Sequence, residues 1–201
     1  MGATFFSFLN DGLGHSALLT STLVVAVAEI GDKTQLLSLL LATKFRNKTA
    51  IVLGILIATL LNHAASAWLG VWLGQSLQAY ITGDVANYVL AGSFMLMALW
   101  VLVPDKEDDQ QNTHAAWGAF LATTLLFFLA EIGDKTQVAT VLLGAEFGSV
   151  LWVTLGTTLG MLLANVPVVY FGHKLMQRMP LHLARYSTAA IFTALALWVL
   201  I

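Results

Sequence analysis

Ala28-Glu29-Ile30-Gly31-Asp32-Lys33-Thr34-Gln35 recurs letter for letter as Ala130-Glu131-Ile132-Gly133-Asp134-Lys135-Thr136-Gln137. Each copy sits inside a long apolar run, so two acids, a lysine and a glutamine enter a segment that should hold no charge. A charged side chain at the centre of a bilayer helix costs roughly 2.5–3.5 kcal/mol on insertion scales. Six such groups, left unpaired, would cost on the order of 15–20 kcal/mol. Stability does not explain such a repeat. It reads as a functional site, and its four acids point to a bound cation. Ion pairs that merely hold helices together are the plainer alternative, and the excess of acid over base weighs against it.

The composition says where this site lies. The chain has 201 residues, 58% hydrophobic and only 10% charged, with a mean hydropathy of +0.82. A soluble domain carries about 25% charged residues, so nearly all of this chain is expected within a membrane, in contact with lipid. The absence of cysteine excludes disulfides, thiolate metal sites and iron–sulfur clusters. A net charge of −2 without a basic stretch speaks against nucleic-acid binding. The first fifteen residues hold no Lys or Arg, and the first apolar segment is too long for a signal peptide. That segment also contains the motif and is read as retained.

Crossing the hydrocarbon takes about 20 apolar residues. On that measure helices are expected near 16–43, 49–78, 85–103, 115–143, 148–173 and 183–201. Outside the motifs the basic residues are Lys44, Arg46, Lys48, Lys106, Lys174, Arg178 and Arg185. With six crossings they gather at loops 1–2, 3–4 and 5–6, all on one side. The positive-inside rule places those loops in the cytoplasm and both termini outside. The polar stretch from Pro104 to Asn112 divides the chain in half. It reads as a solvated connector, with cation gathering at the cytoplasmic mouth as a second reading. Asn47-Lys48-Thr49 matches a glycosylation sequon but falls on the cytoplasmic side and is discounted.

The repeat extends beyond the motif. At an offset of 102, Phe45 matches Phe147, Gly54 matches Gly156, Ala58 matches Gly160 and Gly70 matches Gly172. Phe94 to Leu102 matches Phe192 to Leu200 at an offset of 98, as if a loop had lost four residues. Two copies of a three-helix unit follow, over 1–103 and 115–201, with 104–114 as an acidic cytoplasmic linker. Three crossings are an odd number, so the copies run in opposite senses. Lys44 aligns with Glu146, a reversal that suits one position inside and the other outside. The expected fold is therefore an all-α integral membrane protein of six transmembrane helices, arranged as two inverted three-helix repeats. Secondary transporters use this architecture, with the substrate site near the midplane where the halves meet.

Residues three or four apart share a helix face, so Glu29, Asp32 and Gln35 can form one oxygen-lined edge and Lys33 can pair with Glu29. Glu131, Asp134, Gln137 and Lys135 repeat the pattern. Gly31 and Gly133 permit a kink or unwound turn that exposes carbonyl oxygens. Four carboxylates and two ammonium groups leave −2, which one divalent cation or two protons would neutralise. The metal ligands expected are Glu29, Asp32, Gln35, Glu131, Asp134 and Gln137. Lys33, Lys135, Glu29 and Glu131 are the candidates for proton coupling or charge balance. Oxygen ligands suit Mg²⁺, Ca²⁺ or Mn²⁺. Thr34, Thr136, Asn62, His63 and Asn165 are candidate lining groups, and Asn165 can be aligned with either Asn62 or His63. Gly70-x-x-x-Gly74 and Gly156-x-x-x-Gly160 read as close helix packing. The other histidines lie near loops, and the six Trp read as core or interfacial anchors.

The doubled Glu-x-Gly-Asp-Lys-Thr motif in a six-helix, two-half chain resembles the family of bacterial manganese exporters and Golgi cation/proton exchangers, within the lysine-exporter superfamily. The resemblance covers the whole chain, and neither motif departs from the family pattern. It implies export of Mn²⁺ across the bacterial inner membrane in exchange for protons, with Ca²⁺ carried by some relatives. It also implies transport without a cofactor or an enzymatic step. Its acidic motif residues carry over to Glu29, Asp32, Glu131 and Asp134, with Lys33, Thr34, Lys135 and Thr136 beside them. The choice of Mn²⁺ over Ca²⁺ rests on this resemblance alone. A passive divalent-cation channel is the alternative of a different class; an intramembrane metal enzyme and a structural subunit are weaker readings. Nothing in the residues bears on oligomeric state.

Overall fold

The computed structural model describes residues 12–80, 83–103, 118–172 and 181–201. Among the described residues are eight helices and no strand: α1 (Gly12–Ala28), α2 (Lys33–Lys44), α3 (Lys48–Tyr80), α4 (Gly83–Val101), α5 (Gly118–Glu131), α6 (Lys135–Phe147), α7 (Val150–Phe171) and α8 (Leu181–Val199). Among the described residues each of the six expected segments forms helix, and the first and fourth are each cut in two at the repeated motif. The linker 104–114 and the basic residues Lys106, Lys174 and Arg178 lie outside the described residues.

Both cuts have the same cause. Gly31 and Gly133 adopt left-handed φ values of 80° and 74°, a conformation that costs an ordinary L-residue roughly 1–2 kcal/mol. Asp32 and Asp134 follow in extended conformation, and helix resumes at Lys33 and Lys135. The Gly31 N–H donates to Gln35 Oε1 at 2.7 Å, and the Gly133 N–H donates to Gln137 Oε1 at 2.7 Å. Each glutamine thus closes the break four residues before it. The axis turns by 72° between α1 and α2.

Lys48–Ser76 and Val150–Phe171 are long and apolar enough to cross a membrane, and the bent pair α1–α2 qualifies when taken together. Large apolar side chains face outward, and polar and charged ones lie inside. Leu19, Trp68, Trp72, Leu96, Leu163 and Trp198 are exposed, while Glu29, Gln35, Thr59, His63, Glu131 and Asn165 are fully buried. Water would penalise such an arrangement, whereas lipid favours it. The chain is an α-helical membrane protein.

By the repeat, α1 to α4 correspond to α5 to α8. Each half packs into the other: α1 and α2 lie against α7, α5 and α6 lie against α3, and α4 pairs with α8. Close approach at glycine makes this possible. A Cβ on Gly54 would meet Thr123 and the Phe120 carbonyl, and one on Gly156 would meet Ser21 and the Leu18 carbonyl. Two apolar clusters bracket the motifs. Ala17, Val24, Ala139 and Leu143 belong to the first, and Leu37, Leu41, Phe127 and Ala130 to the second. Along α1–α2 the chain passes from the first cluster through the motif to the second. Along α5–α6 it passes from the second to the first.

Candidate metal centre

Between those clusters the two motifs meet. Glu29, Asp32 and Asp134, all buried, each bring a carboxylate oxygen within 4.8 Å of the other two. Oxygens on opposite sides of a divalent ion stand roughly 4–5 Å apart, twice a typical bond length, so the spacing suits a shared cation. Neither Asp spends its side chain capping the helix it precedes, although Asp in that position commonly does. The C-termini of α1 and α5 also end at the breaks, and the negative end of a helix dipole favours a cation.

The glutamates have different surroundings. Asn165 Nδ2 donates to Glu29 Oε1 at 3.2 Å, and Ser38 Oγ donates to Asn165 Oδ1 at 2.8 Å. The amide thus donates to the acid and accepts from the serine. Glu29 Oε2 has no hydrogen-bond partner among the described residues. Glu131 is more fully engaged: Thr59 Oγ1 donates to Oε1 at 2.9 Å and Asn62 Nδ2 to Oε2 at 3.2 Å. His63 Nε2 stands 3.8 Å from the same Oε2. Among the described residues the cation-sized cluster holds three of the four expected acids, and Glu131 lies outside it.

The lysines diverge as well. Lys33 Nζ lies 3.4 Å from Asp134 Oδ1, so it pairs across the halves, and the expected partner within its own motif, Glu29, is not the one it takes. Lys135 Nζ donates to the Val103 carbonyl at the end of α4 at 2.6 Å. Thr136 Oγ1 donates to Asp134 Oδ2 at 3.1 Å, while Thr34 is buried with no hydrogen-bond partner for its hydroxyl among the described residues.

Gln35 and Gln137 sit beside the centre with their oxygens turned back to Gly31 and Gly133, and Gln35 Nε2 donates to the Ala164 carbonyl at 2.9 Å. A continuous helix would align Gln35 with Glu29 and Asp32. The left-handed glycine resets the helical phase, so the amide returns to the break it follows. Three groups were not singled out from sequence: Ser38, Thr59 and the Val103 carbonyl. Ser38 follows Gln35 by one turn, and Thr59 precedes Asn62 and His63 by one turn, a spacing that shares a face. A backbone carbonyl leaves no such signal.

Fully ionised, the three carboxylates and the Lys33 ammonium sum to −2, the complement of one divalent ion. A buried, preformed oxygen site at paired helix breaks, reached from both halves of a membrane bundle, is the kind of site found in secondary cation transporters. The chain belongs to the family described as divalent cation/proton antiporter GDT1, which matches residues 17–109 and 119–201. A Vibrio cholerae protein named "Putative manganese exporter" is 51% identical over 183 residues, 90% of this chain and 89% of that one. A GDT1-like protein of Synechocystis is 25% identical over 78% of this chain and 83% of its own length. An Arabidopsis thaliana chloroplastic PAM71 homologue is 28% identical over 86% of this chain and 56% of its own length. No solved structure matches the chain. The family is one of transporters, not of enzymes.

Proposed function

We propose that this protein exports Mn²⁺ from the cytoplasm across the bacterial inner membrane in exchange for protons. The observation that carries the reading is the convergence of Glu29, Asp32 and Asp134, from both motifs, on one buried cation-sized site. Mn²⁺ is favoured over Ca²⁺ by likeness to the Vibrio cholerae protein. Six crossings form two inverted repeats, 1–103 and 115–201, joined by the cytoplasmic linker 104–114, with both termini outside. The opposite order in which α1–α2 and α5–α6 visit the two apolar clusters supports that inversion.

In this reading Glu29, Asp32 and Asp134 hold the ion, and protons replace it when it leaves. Glu131, engaged by Thr59 and Asn62, balances charge beside the ion. Lys33 neutralises Asp134 in the unloaded site. Thr34, Thr136, Asn62, His63 and Asn165 line the centre, and Gln35 and Gln137 hold the breaks.

The test is flux in proteoliposomes carrying a pH gradient, with Mn²⁺ and Ca²⁺ followed separately. Mn²⁺ movement driven by the gradient is expected. Flux indifferent to the gradient would indicate a channel, gradient-driven flux of Ca²⁺ alone would make the protein a calcium antiporter, and no movement of either ion would refute transport.

A further inference from the structure

Gly70 and Gly172 are equivalent by the repeat, and so are Val141 and Leu39, yet the two pairs are packed differently. A Cβ on Gly70 would collide with the Val141 carbonyl. A Cβ on Gly172 would reach only the tip of Leu39, at 3.6 Å. The difference extends along both seams. Gly144 and Ala67 touch backbone to backbone, a Gly144 Cβ falling 2.6 Å from the Ala67 carbonyl oxygen, and Gly74 is as tight against the Ala145 backbone, its Cβ 2.9 Å from that carbonyl oxygen. At the offset of 102, the equivalents of Ala67, Gly70, Val141, Gly144 and Ala145 are Val169, Gly172, Leu39, Ala42 and Thr43. Those five residues line a cavity of about 310 Å³. One seam, α3 against α6, is shut backbone to backbone; its counterpart, α7 against α2, stays packed through Leu37, Leu41 and Val169 and parts only at the cavity beside Gly172. The lysines of the motif and the flanking helices break the symmetry too. Lys135 is docked on the end of α4 while Lys33 bridges the centre, and α4 lies against α6 whereas α8 lies against α1.

We infer that these two seams are the gates of the transporter, that the structure has the outer gate (α3–α6) tightly closed and the inner gate (α2–α7) parted at its cytoplasmic end, and that transport exchanges the two packings. The inference rests on the antiport reading and its orientation, in which the cavity opens beside Lys48 at the cytoplasmic loop. The residue sizes account for the bias. Val169, Leu39, Ala42 and Thr43 each carry more side chain than Ala67, Val141, Gly144 and Ala145, so the inner seam closes less tightly than the outer. An exporter gains from that asymmetry, because the gate on the side from which it must collect the ion is then the easier one to open.

The chain has no cysteine, which makes cross-linking clean. In the closed inner gate Ala42 and Val169 should approach as Gly144 and Ala67 do, close enough for a disulfide. Ala42→Cys/Val169→Cys in proteoliposomes, oxidised during Mn²⁺ turnover, is expected to form that disulfide and lose transport, and a reductant is expected to restore it. No disulfide during turnover, or undiminished flux with the disulfide formed, overturns the gate assignment. Flux by the cysteine-free chain, measured alongside, tests the antiport reading separately. Should the double variant fail to fold, Ala42→Cys alone decides: its alkylation from the cytoplasmic side should slow during turnover, and an unchanged rate overturns the inference.

Discussion

Lys33 Nζ lies 3.4 Å from Asp134 Oδ1 and joins the two copies of the motif across the buried centre. Its counterpart Lys135 donates to the Val103 carbonyl just past α4, so the two ammonium groups differ in their contacts. An ammonium tethered beside a metal-binding carboxylate competes with the incoming ion and helps to expel it. Lys33→Met should therefore lower the Mn²⁺ concentration for half-maximal flux by roughly fivefold, about 1 kcal/mol, and reduce the maximal rate because release slows. Lys33→Arg should keep the wild-type half-saturation. The concentration dependence of Mn²⁺ flux checks this; unchanged half-saturation in Lys33→Met would show that the pair is merely structural.

The acids should not be equal. Glu29, Asp32 and Asp134 share one cation-sized volume, while Glu131 has both oxygens engaged by Thr59 and Asn62. Glu29→Gln, Asp32→Asn and Asp134→Asn should each weaken Mn²⁺ binding by at least about tenfold, or 1.4 kcal/mol. Glu131→Gln should weaken it by less than about threefold, because its amide oxygen can still accept from Thr59. Calorimetric titration of the detergent-solubilised protein distinguishes the two classes. Equal losses at all four positions would return Glu131 to the shell of the ion.

Much of this was legible in the residues. The letter-for-letter repeat marked the acids that converge, Gly31 and Gly133 marked the breaks, and apolar run lengths marked the helices. The division of labour between the copies was not legible, because identical letters take their partners from the opposite half, where the letters differ. Thr59, Asn62 and His63 of α3 face Glu131, whereas the equivalents in α7 are Met161, Ala164 and Asn165. The resulting contacts pair His63 with Asn165 as the position facing each glutamate, and add Asn62 on one side only. The ambiguity in aligning Asn165 thus reflects a real difference between the halves. The lysine partners depend on where α4 ends relative to α6, which no local pattern encodes.

That pairing predicts a contrast between two substitutions. Asn165→Leu removes the donor to Glu29 Oε1 and leaves Ser38 facing an alkyl group. A buried polar group deprived of its partner costs about 1–3 kcal/mol, more if charged, so thermal stability and Mn²⁺ flux should both fall. His63→Asn places on α3 the residue that α7 carries at the equivalent position, and leaves Thr59 and Asn62 on Glu131. It should keep most of the flux. Melting curves and flux measured together check both outcomes, and loss of transport in a stably folded His63→Asn protein would give the imidazole a role its neighbours do not supply.

The glutamines that close the breaks should also differ in weight. Gln35 receives the Gly31 N–H and donates to the Ala164 carbonyl, so it fastens the break to the opposite half; Gln137 receives the Gly133 N–H. Each buried hydrogen-bonding group left unpaired costs about 1–3 kcal/mol. Gln35→Ala removes a part-buried and a buried hydrogen bond whereas Gln137→Ala removes an exposed one, so Gln35→Ala should destabilise the protein more, read as the difference in thermal midpoint in detergent. Gly31→Ala should add a separate cost of about 1–2 kcal/mol, because φ of 80° is foreign to an L-residue. Gln35→Ala and Gly31→Ala should not be additive, since each loosens the same turn and the second removes what the first has already weakened. Full additivity would mean that the glutamine acts on α7 alone and that the glycine holds the break by itself.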